Sequence, residues 1–221
     1  MPPRQLALAL PHAESLTRDS FLEGSANAAA LKLVERWPDW PNRVMLLTGP
    51  EGSGKSHLAS IWAELSGART ISAHALELAS IPAALSTGAA VVEDLAAGAY
   101  DEHALFHLLN LTREQGAYVL LTSRRPPGGE TLRDLKSRLR AVPVVALQAP
   151  DDALLRALIV KFCADRQLAV DEAFVSYVAT RIERSFAAAR HAIERLDAEA
   201  LRLGRPLTRV LAAELLRDGA T

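Results

Sequence analysis

Apolar runs alternate with helical patterns through the first 150 residues of the chain. The runs predict five strands, at residues 44–48, 69–71, 88–94, 117–122 and 142–147. Helical spacing predicts helices between them, at residues 20–40, 57–65, 73–78 and 101–115. Strands that are almost continuously apolar and alternate with helices are typical of a parallel sheet covered on both faces. The predicted fold class is therefore α/β.

The pattern changes after Pro150. Four helical patterns follow, at residues 151–167, 171–183, 185–203 and 208–217, and no strand is predicted there. Asp or Thr stands at three of the helix starts, Ser185 precedes the other, and Gly204 follows its last turn. The sequence predicts an N-terminal segment at residues 1–19, an α/β core at residues 20–150 and a small all-α lid at residues 151–221.

Composition narrows the class of protein. Hydrophobic residues make up 49% of the 221 residues, enough for a sizeable core, and aromatic residues only 5%. A net charge of −1 argues against a nucleic-acid binder that acts by overall electrostatics. The single cysteine, Cys163, excludes an internal disulfide. Neither a signal peptide nor a membrane-spanning run is recognised, so we expect a cytoplasmic protein without a membrane partner.

A glycine-rich loop between the first strand and the next helix carries the strongest chemical signal. It fits G-x-x-x-x-G-K-[ST], and its residues are Gly49, Pro50, Glu51, Gly52, Ser53, Gly54, Lys55 and Ser56, followed by His57. Only four of the 25 basic residues are lysines, so a lysine at the position that the motif requires is seldom placed there by chance. Backbone amides and the helix N-terminus would bind phosphates, Lys55 would reach the β- and γ-phosphates, and the Ser56 hydroxyl would hold Mg²⁺.

Polar residues at the ends of two later strands extend this candidate site. Glu93 would ligate Mg²⁺, usually through water, and Asp94 would polarise an attacking water. Ser123 ends the next strand, where it is either a sensor of the γ-phosphate or part of a turn. Arg124 and Arg125 follow it and either bind an anion or face solvent.

Four segments resemble the bacterial replication initiators of the DnaA family, which are AAA+ proteins with an α/β core and a helical lid. They are Phe21–Ala30, Phe106–Asn110, Leu121–Pro127 and Asp134–Leu139. The resemblance places Asn27 among the nucleotide-binding residues, Ser123 at the sensor position and an arginine finger at Arg138. It implies an adenine nucleotide, ADP or ATP, with Mg²⁺ as the bound cofactor.

The N-terminal hexapeptide at residues 5–10 is similar to the sliding-clamp-binding motif that a shorter member of this family carries. The motif residues are Gln5, Leu6, Leu8 and Leu10. Taken alone, the peptide favours an ordinary edge strand, because Leu6, Leu8 and Leu10 share one side of an extended chain; only the resemblance of the rest of the chain favours the clamp motif. The resemblance implies two partners, the DnaA initiator and the DNA polymerase III sliding clamp (beta), and a homo-oligomer is possible. No sequence-specific DNA binding is expected, because the helix-turn-helix domain of the initiator has no counterpart.

The resemblance implies a mechanism in which the protein binds nucleotide and also binds the DNA-loaded clamp. It would then present Arg138 to the ATP that is bound to DnaA. Three positions depart from the family pattern: Glu93 and Arg124 each replace the usual Asp, and Ala187 replaces the sensor-two arginine. Arg190 lies about one turn after Ala187. We therefore expect weak or no intrinsic ATPase activity. Two alternatives are a helicase-loader or transposition-helper AAA+ ATPase that binds single-stranded DNA, and a clamp adaptor that does not hydrolyse nucleotide.

Overall fold

The computed structural model describes residues 16–129 and 132–217. These residues form two compact units, residues 16–149 and residues 150–217. The first unit combines a sheet with helices, and in the second the described residues form helices and connecting turns only. No helix within the described ranges combines the length and the apolar character needed to cross a lipid bilayer.

A five-stranded parallel sheet forms the centre of the first unit. The strands are β1 (Val44–Thr48), β2 (Arg69–Ser72), β3 (Ala89–Glu93), β4 (Tyr118–Ser123) and β5 (Val144–Ala146). Their order is β2-β3-β4-β1-β5, and every neighbouring pair is parallel. Strand β4 is central, and β1 lies between β4 and the edge strand β5. The predicted α/β fold with five parallel strands is confirmed.

Helices cover both faces of this sheet, because successive strand side chains point to opposite faces. The helices are α1 (Ala28–Glu35), α2 (Lys55–Ser66), α3 (Ile81–Ala84), α4 (Glu102–Gln115) and α5 (Arg133–Ala141). On one face, Leu46 and Leu121 belong to a buried cluster with residues of α3, α4 and α5. On the other face, Met45, Leu47 and Leu120 belong to a cluster with residues of α1 and α2. The continuous apolar runs of the strands follow from this two-sided burial.

The second unit contains four helices. They are α6 (Asp152–Asp165), α7 (Glu172–Ala179), α8 (Phe186–Leu203) and α9 (Arg209–Arg217). The side chains of Asp151, Asp171 and Ser185 accept hydrogen bonds from amides in the first turns of α6, α7 and α8. Gly204 has a φ of 61° where α8 ends. The prediction of an all-α region after the sheet is confirmed for residues 150–217.

The helix predicted over residues 20–40 is wrong in its extent, because α1 covers only residues 28–35. Residues 16–27 form turns and loops instead, held by hydrogen bonds that the local pattern does not reveal. The Asn27 side chain accepts from Gly24 N at 2.9 Å and donates to Leu22 O at 2.9 Å. The amide of Gln148, far along the chain, donates to Ala26 O at 3.0 Å.

The helix predicted over residues 73–78 is also wrong. The structure has two short 3₁₀ turns, Ala73–Ala75 and Leu78–Ser80, which lead into α3. The Ser72 hydroxyl accepts from His74 N, and the Ser80 hydroxyl accepts from Glu77 N. These side chains compete with the regular helical bonds and favour turns.

Gly49, directly after β1, packs too closely for a side chain. A Cβ there would lie 2.9 Å from Leu147 O and 2.8 Å from Ser53 Oγ. The backbone of Leu147 is fixed, because its amide donates to Thr48 O at 2.7 Å and its side chain is buried.

We expect Gly49→Ala to lower the free energy of unfolding by about 1–3 kcal/mol, since a backbone oxygen has to move. Urea unfolding would measure this change. The control is Gly128→Ala, where a Cβ meets nothing within 4 Å and the expected change is within about 0.5 kcal/mol. Equal stabilities of the two variants would contradict the steric argument.

Candidate nucleotide-binding site

The glycine-rich loop, residues 49–56, connects the carboxyl end of β1 to the start of α2. Gly54 precedes the helix with a φ of 93°, a value that a residue with a side chain rarely adopts. The helix begins at Lys55, so the unbonded amides of its first turn lie at the end of the loop. Loop and helix start together have the geometry of an anion-binding site.

Lys55 is buried and lies across this loop. Its Nζ donates to Gly49 O at 2.9 Å and to Pro50 O at 2.7 Å. Burial lowers the pKa of Lys55, the charge of Asp94 opposes this shift, and Arg124 adds to it. The ammonium is therefore surrounded by carbonyl oxygens and by the charges of the predicted site.

The acidic pair follows β3. Glu93 is the last residue of the strand, and its Oε1 is buried without a hydrogen-bond partner. Asp94 has a φ of 59°, and its amide donates to the Thr122 hydroxyl at 3.0 Å. The next amide, of Leu95, donates to Thr122 O at 2.9 Å. Thr122, which sequence reasoning missed, therefore sets the backbone of the acidic pair.

The residues present fit a Mg²⁺ ion held with a nucleotide. A buried carboxylate oxygen without a partner, such as Glu93 Oε1, is suited to a cation or to its bound water. Within the described parts of the chain, no group of three or more His, Cys, Asp or Glu side chains could hold a metal alone. A Mg²⁺ here would thus depend on phosphate oxygens and water, with Ser56 and Glu93 as the protein groups.

Ser123 is buried at the end of β4, and its hydroxyl bonds to the protein itself. The Oγ lies 2.7 Å from Leu95 O and 2.6 Å from Arg125 O. Its carbonyl accepts from Gly49 N at 3.2 Å. Ser123 therefore joins the loops that follow β1, β3 and β4, and its sensor role stays a prediction.

Arg124 forms an ion pair with a residue of the glycine-rich loop. Its guanidinium lies 2.8 Å from Glu51 Oε2, and the two side chains are 67% and 69% exposed. An ion pair this exposed contributes at most about 1 kcal/mol to stability. Its consequence is local: it places a second positive charge beside the loop. The sequence left open whether Arg124 binds an anion or faces solvent. In the structure, Arg124 pairs with the carboxylate of Glu51.

The segment before α1 packs against the start of α2. The ring of Phe21 meets the ring of His57 edge-on at 5.0 Å, and His57 Nε2 lies 2.8 Å from Thr17 O. Both ends of the Asn27 amide bond within its own loop. Asn27 therefore shapes the segment beside the glycine-rich loop, whereas direct contact with a nucleotide stays a prediction.

Arg138 lies on α5, and α4 holds it in place. Its guanidinium carbon lies 4.9 Å from the centre of the Phe106 ring, a cation–π contact. The Glu102 carboxylate, also on α4, accepts from Leu132 N at 2.7 Å at the start of α5. Phe106 was noted in the sequence only for its resemblance, and its contact with Arg138 emerges from the fold.

The remaining predicted residues lie in other parts of the chain. In the helical unit, Ala187 is in the first turn of α8, and the guanidinium carbon of Arg190 lies 5.7 Å from the Phe162 ring. The predicted clamp-binding residues, Gln5, Leu6, Leu8 and Leu10, lie outside the described residues.

Sequence comparison relates part of the chain to a replication initiator. No family model matches. The chain is 30% identical over 129 residues to the chromosomal replication initiator protein DnaA of Symbiobacterium thermophilum, covering 58% of this chain and 28% of DnaA. It is 30% identical over 118 residues to DnaA of Thermomicrobium roseum, covering 52% and 25%. The chain therefore spans about a quarter of the length of these curated relatives.

Solved structures match over more of the chain. Domain III of the replication initiation protein DnaA from Thermotoga maritima has a TM-score of 0.74 at 20% identity, covering 95% of this chain and 98% of that one. AMPPCP-bound DnaA from Aquifex aeolicus has a TM-score of 0.66 at 18% identity, covering 86% and 68%. The Thermotoga maritima RuvB branch migration motor has a TM-score of 0.70 at 16% identity, covering 92% and 72%. The chain has the AAA+ P-loop fold of DnaA domain III, and over 129 residues its sequence is similar to DnaA.

Proposed function

We propose that this protein is an Hda-like negative regulator of chromosomal replication initiation. It binds an adenine nucleotide at residues 49–56, attaches to the DNA-loaded sliding clamp through residues 5–10, and stimulates hydrolysis of DnaA-bound ATP with Arg138. The observation that carries the proposal is the similarity to DnaA combined with a complete glycine-rich loop at the end of β1.

The nucleotide is proposed from the loop geometry and from a structural neighbour that holds AMPPCP, an ATP analogue. Backbone amides at the start of α2 would bind the phosphates, and Lys55 would move from the carbonyls of Gly49 and Pro50 to phosphate oxygens. Ser56 and Glu93 would hold Mg²⁺ through its water. Asp94 would polarise the attacking water if this protein hydrolyses its own nucleotide.

Arg138 is proposed as the residue that acts on the partner's ATP. A guanidinium stabilises negative charge that develops on a transferred phosphoryl group. The contact with Phe106 restricts the Arg138 side chain, so less conformational entropy is lost when it meets a phosphate. This role does not require the protein to hydrolyse its own nucleotide, which fits Ala187 at the sensor-two position.

Attachment to the clamp is proposed from residues 5–10 alone. In an extended peptide, Leu6, Leu8 and Leu10 share one side and would fill an apolar cleft, while the Gln5 amide would bond at its rim. The proposed partners are thus DnaA and the DNA polymerase III sliding clamp. A homo-oligomer of this protein is also part of the proposal.

Lys55→Met tests the nucleotide site. We expect ADP and ATP binding, measured by calorimetry, to fall at least about 100-fold, since a charge-assisted contact to the phosphates is lost. Gly49→Ala should also weaken nucleotide binding. It is a less specific test of the loop, because it lowers the stability of the protein as well. Unchanged affinity in Lys55→Met would rule out phosphate binding at this loop.

The same variant tests the pKa of Lys55 in the nucleotide-free protein. Because the folded-state pKa lies below the ordinary value of 10.5, the unfolded state binds more protons in the interval between the two. Stability of the wild type should therefore rise relative to Lys55→Met as pH increases toward 10.5. Denaturant unfolding at pH 7, 9 and 10 measures the difference, and a difference that falls with pH would contradict the burial argument.

Hydrolysis of DnaA-bound ATP tests the function as a whole. The protein is added with and without sliding clamp loaded on DNA, and radiolabelled ADP is counted. We expect clamp-dependent stimulation, lost in Gln5→Ala and reduced about 10³-fold in Arg138→Ala. Arg138→Lys retains the charge without the planar fork and should restore little.

Arg113→Ala is the matched control, because Arg113 is an exposed arginine at the end of the neighbouring helix α4. It should leave stimulation unchanged. Stimulation that survives Arg138→Ala would leave the protein as a clamp adaptor without an arginine finger. Clamp binding that survives Gln5→Ala would remove the assignment of residues 5–10.

A further inference from the structure

Helix α5 has two different polar flanks around its buried face. Leu135 and Leu139 are buried against the sheet. At 3.6 residues per turn, Arg138 lies on one flank, and Arg133, Lys136 and Arg140 lie together on the other. The two sets are about 150° apart around the helix axis. A partner that meets Arg138 therefore approaches from a different side than a ligand of the three cations.

The second flank lines an open groove, here called the α5 basic groove. Its volume is about 540 Å³, and its lining residues are Arg133, Lys136, Ser137, Arg140 and Ala141. Among the described residues, its lining has three cations, one hydroxyl and no carboxylate. This is a concentration of positive charge in a chain whose net charge is −1.

Ion pairs with carboxylates occur at several other arginines of the described residues but not at these three cations. Seven arginines form such pairs: Arg18, Arg124, Arg156, Arg166, Arg184, Arg202 and Arg205. Among residues 16–129 and 132–217, no carboxylate pairs with Arg133, Lys136 or Arg140. An anionic ligand would therefore bind these three cations without displacing a carboxylate of the described residues.

The spacing of the cations fits a row of phosphates. Arg133 and Arg140 are seven residues apart, so the row is about 10 Å long at 1.5 Å per residue. One strand of B-DNA presents about three phosphates over that axial length. The Ser137 hydroxyl adds a neutral donor of the kind that often contacts phosphate oxygens.

The absence of aromatic side chains from this lining favours duplex over single-stranded DNA. Proteins that bind single strands stack bases on aromatic rings, and none of the five lining residues has one. Phe106, the aromatic residue in contact with α5, meets Arg138 on the opposite flank.

We propose that the α5 basic groove binds the phosphate backbone of duplex DNA without regard to sequence. This goes beyond the proposed function, in which DNA is reached only through the clamp, and does not depend on it. Because the groove and Arg138 are on different flanks, duplex DNA and a partner at Arg138 would not compete for α5. Three contacts imply weak binding, with a dissociation constant of about 10⁻⁴–10⁻⁶ M near physiological salt.

The test is fluorescence anisotropy of a labelled 20-bp duplex of mixed sequence, titrated with the full-length protein at several salt concentrations, without DnaA, clamp or nucleotide. Three phosphate contacts predict a slope of log K against log salt of about −2.7, a loss of about 40-fold between 50 and 200 mM. In Arg133→Ala/Lys136→Ala/Arg140→Ala we expect affinity to fall at least about 10-fold and the slope to approach zero.

The matched control is Lys32→Ala/Arg36→Ala/Arg113→Ala, which removes the same charge from three exposed positions, two within α1 and α4 and one directly after α1. It should bind DNA nearly as the wild type does. Circular dichroism and the melting temperature of each triple variant show whether it is folded.

Several outcomes would overturn the proposal. Equal losses in both triple variants would assign binding to overall charge. Equal affinity of the wild type and the groove variant would exclude the groove. A third such result is that the wild type binds a single strand of the same sequence more tightly than the duplex, and that the groove variant loses this preference. That result would identify single-stranded DNA, and not duplex DNA, as the ligand of the groove. Because the assay contains neither DnaA nor clamp, its failure would leave the proposed function untouched.

Discussion

The candidate site depends on hydrogen bonds that join the carboxyl ends of three neighbouring strands. Gly49 N donates to Ser123 O, Asp94 N donates to the Thr122 hydroxyl, and Leu95 N donates to Thr122 O. In a parallel sheet these strand ends share one edge, where α/β proteins place their ligands. The position of β4 between β1 and β3 thus brings together the glycine-rich loop, the acidic pair and the end of β4 itself, although about 75 residues separate Gly49 from Ser123.

Charge at this edge is concentrated around one buried ammonium. The Lys55 ammonium donates hydrogen bonds to Gly49 O and Pro50 O. Burial lowers the pKa of Lys55, and the charge of Asp94 opposes that effect. A phosphate would stabilise the charged form more than the carbonyl oxygens do, because it carries a full negative charge. The ion pair between Arg124 and Glu51 adds a positive group to the same edge without contributing much to stability.

Helix α5 lies between β4 and β5 along the chain. Its two buried leucines anchor it, and the remaining positions separate into Arg138 on one flank and the α5 basic groove on the other. The contact with Phe106 and the hydrogen bond from Leu132 N to Glu102 make its position dependent on α4. A change in α4 would therefore be transmitted to Arg138 through direct contacts.

Features that arise from interactions between residues close in the chain could be predicted from the sequence. The strand, glycine-rich loop and helix around residues 44–66 are of this kind. So are the capped helices that start after Asp151, Asp171 and Ser185, because each cap spans only three residues. Continuous apolar runs likewise indicated the parallel sheet, since both faces of such strands are buried.

Features that depend on contacts between residues distant in the chain could not be predicted, because they arise only in the folded protein. Residues 20–27 look helical in isolation, but the Asn27 amide and the bond from Gln148 N to Ala26 O hold them in turns. The pairing of Arg124 with Glu51 and the contact of Arg138 with Phe106 follow from which strands and helices become neighbours. Helical periodicity describes the flanks of α5, but it does not state which flank the sheet buries, which α4 contacts and which is left as a groove.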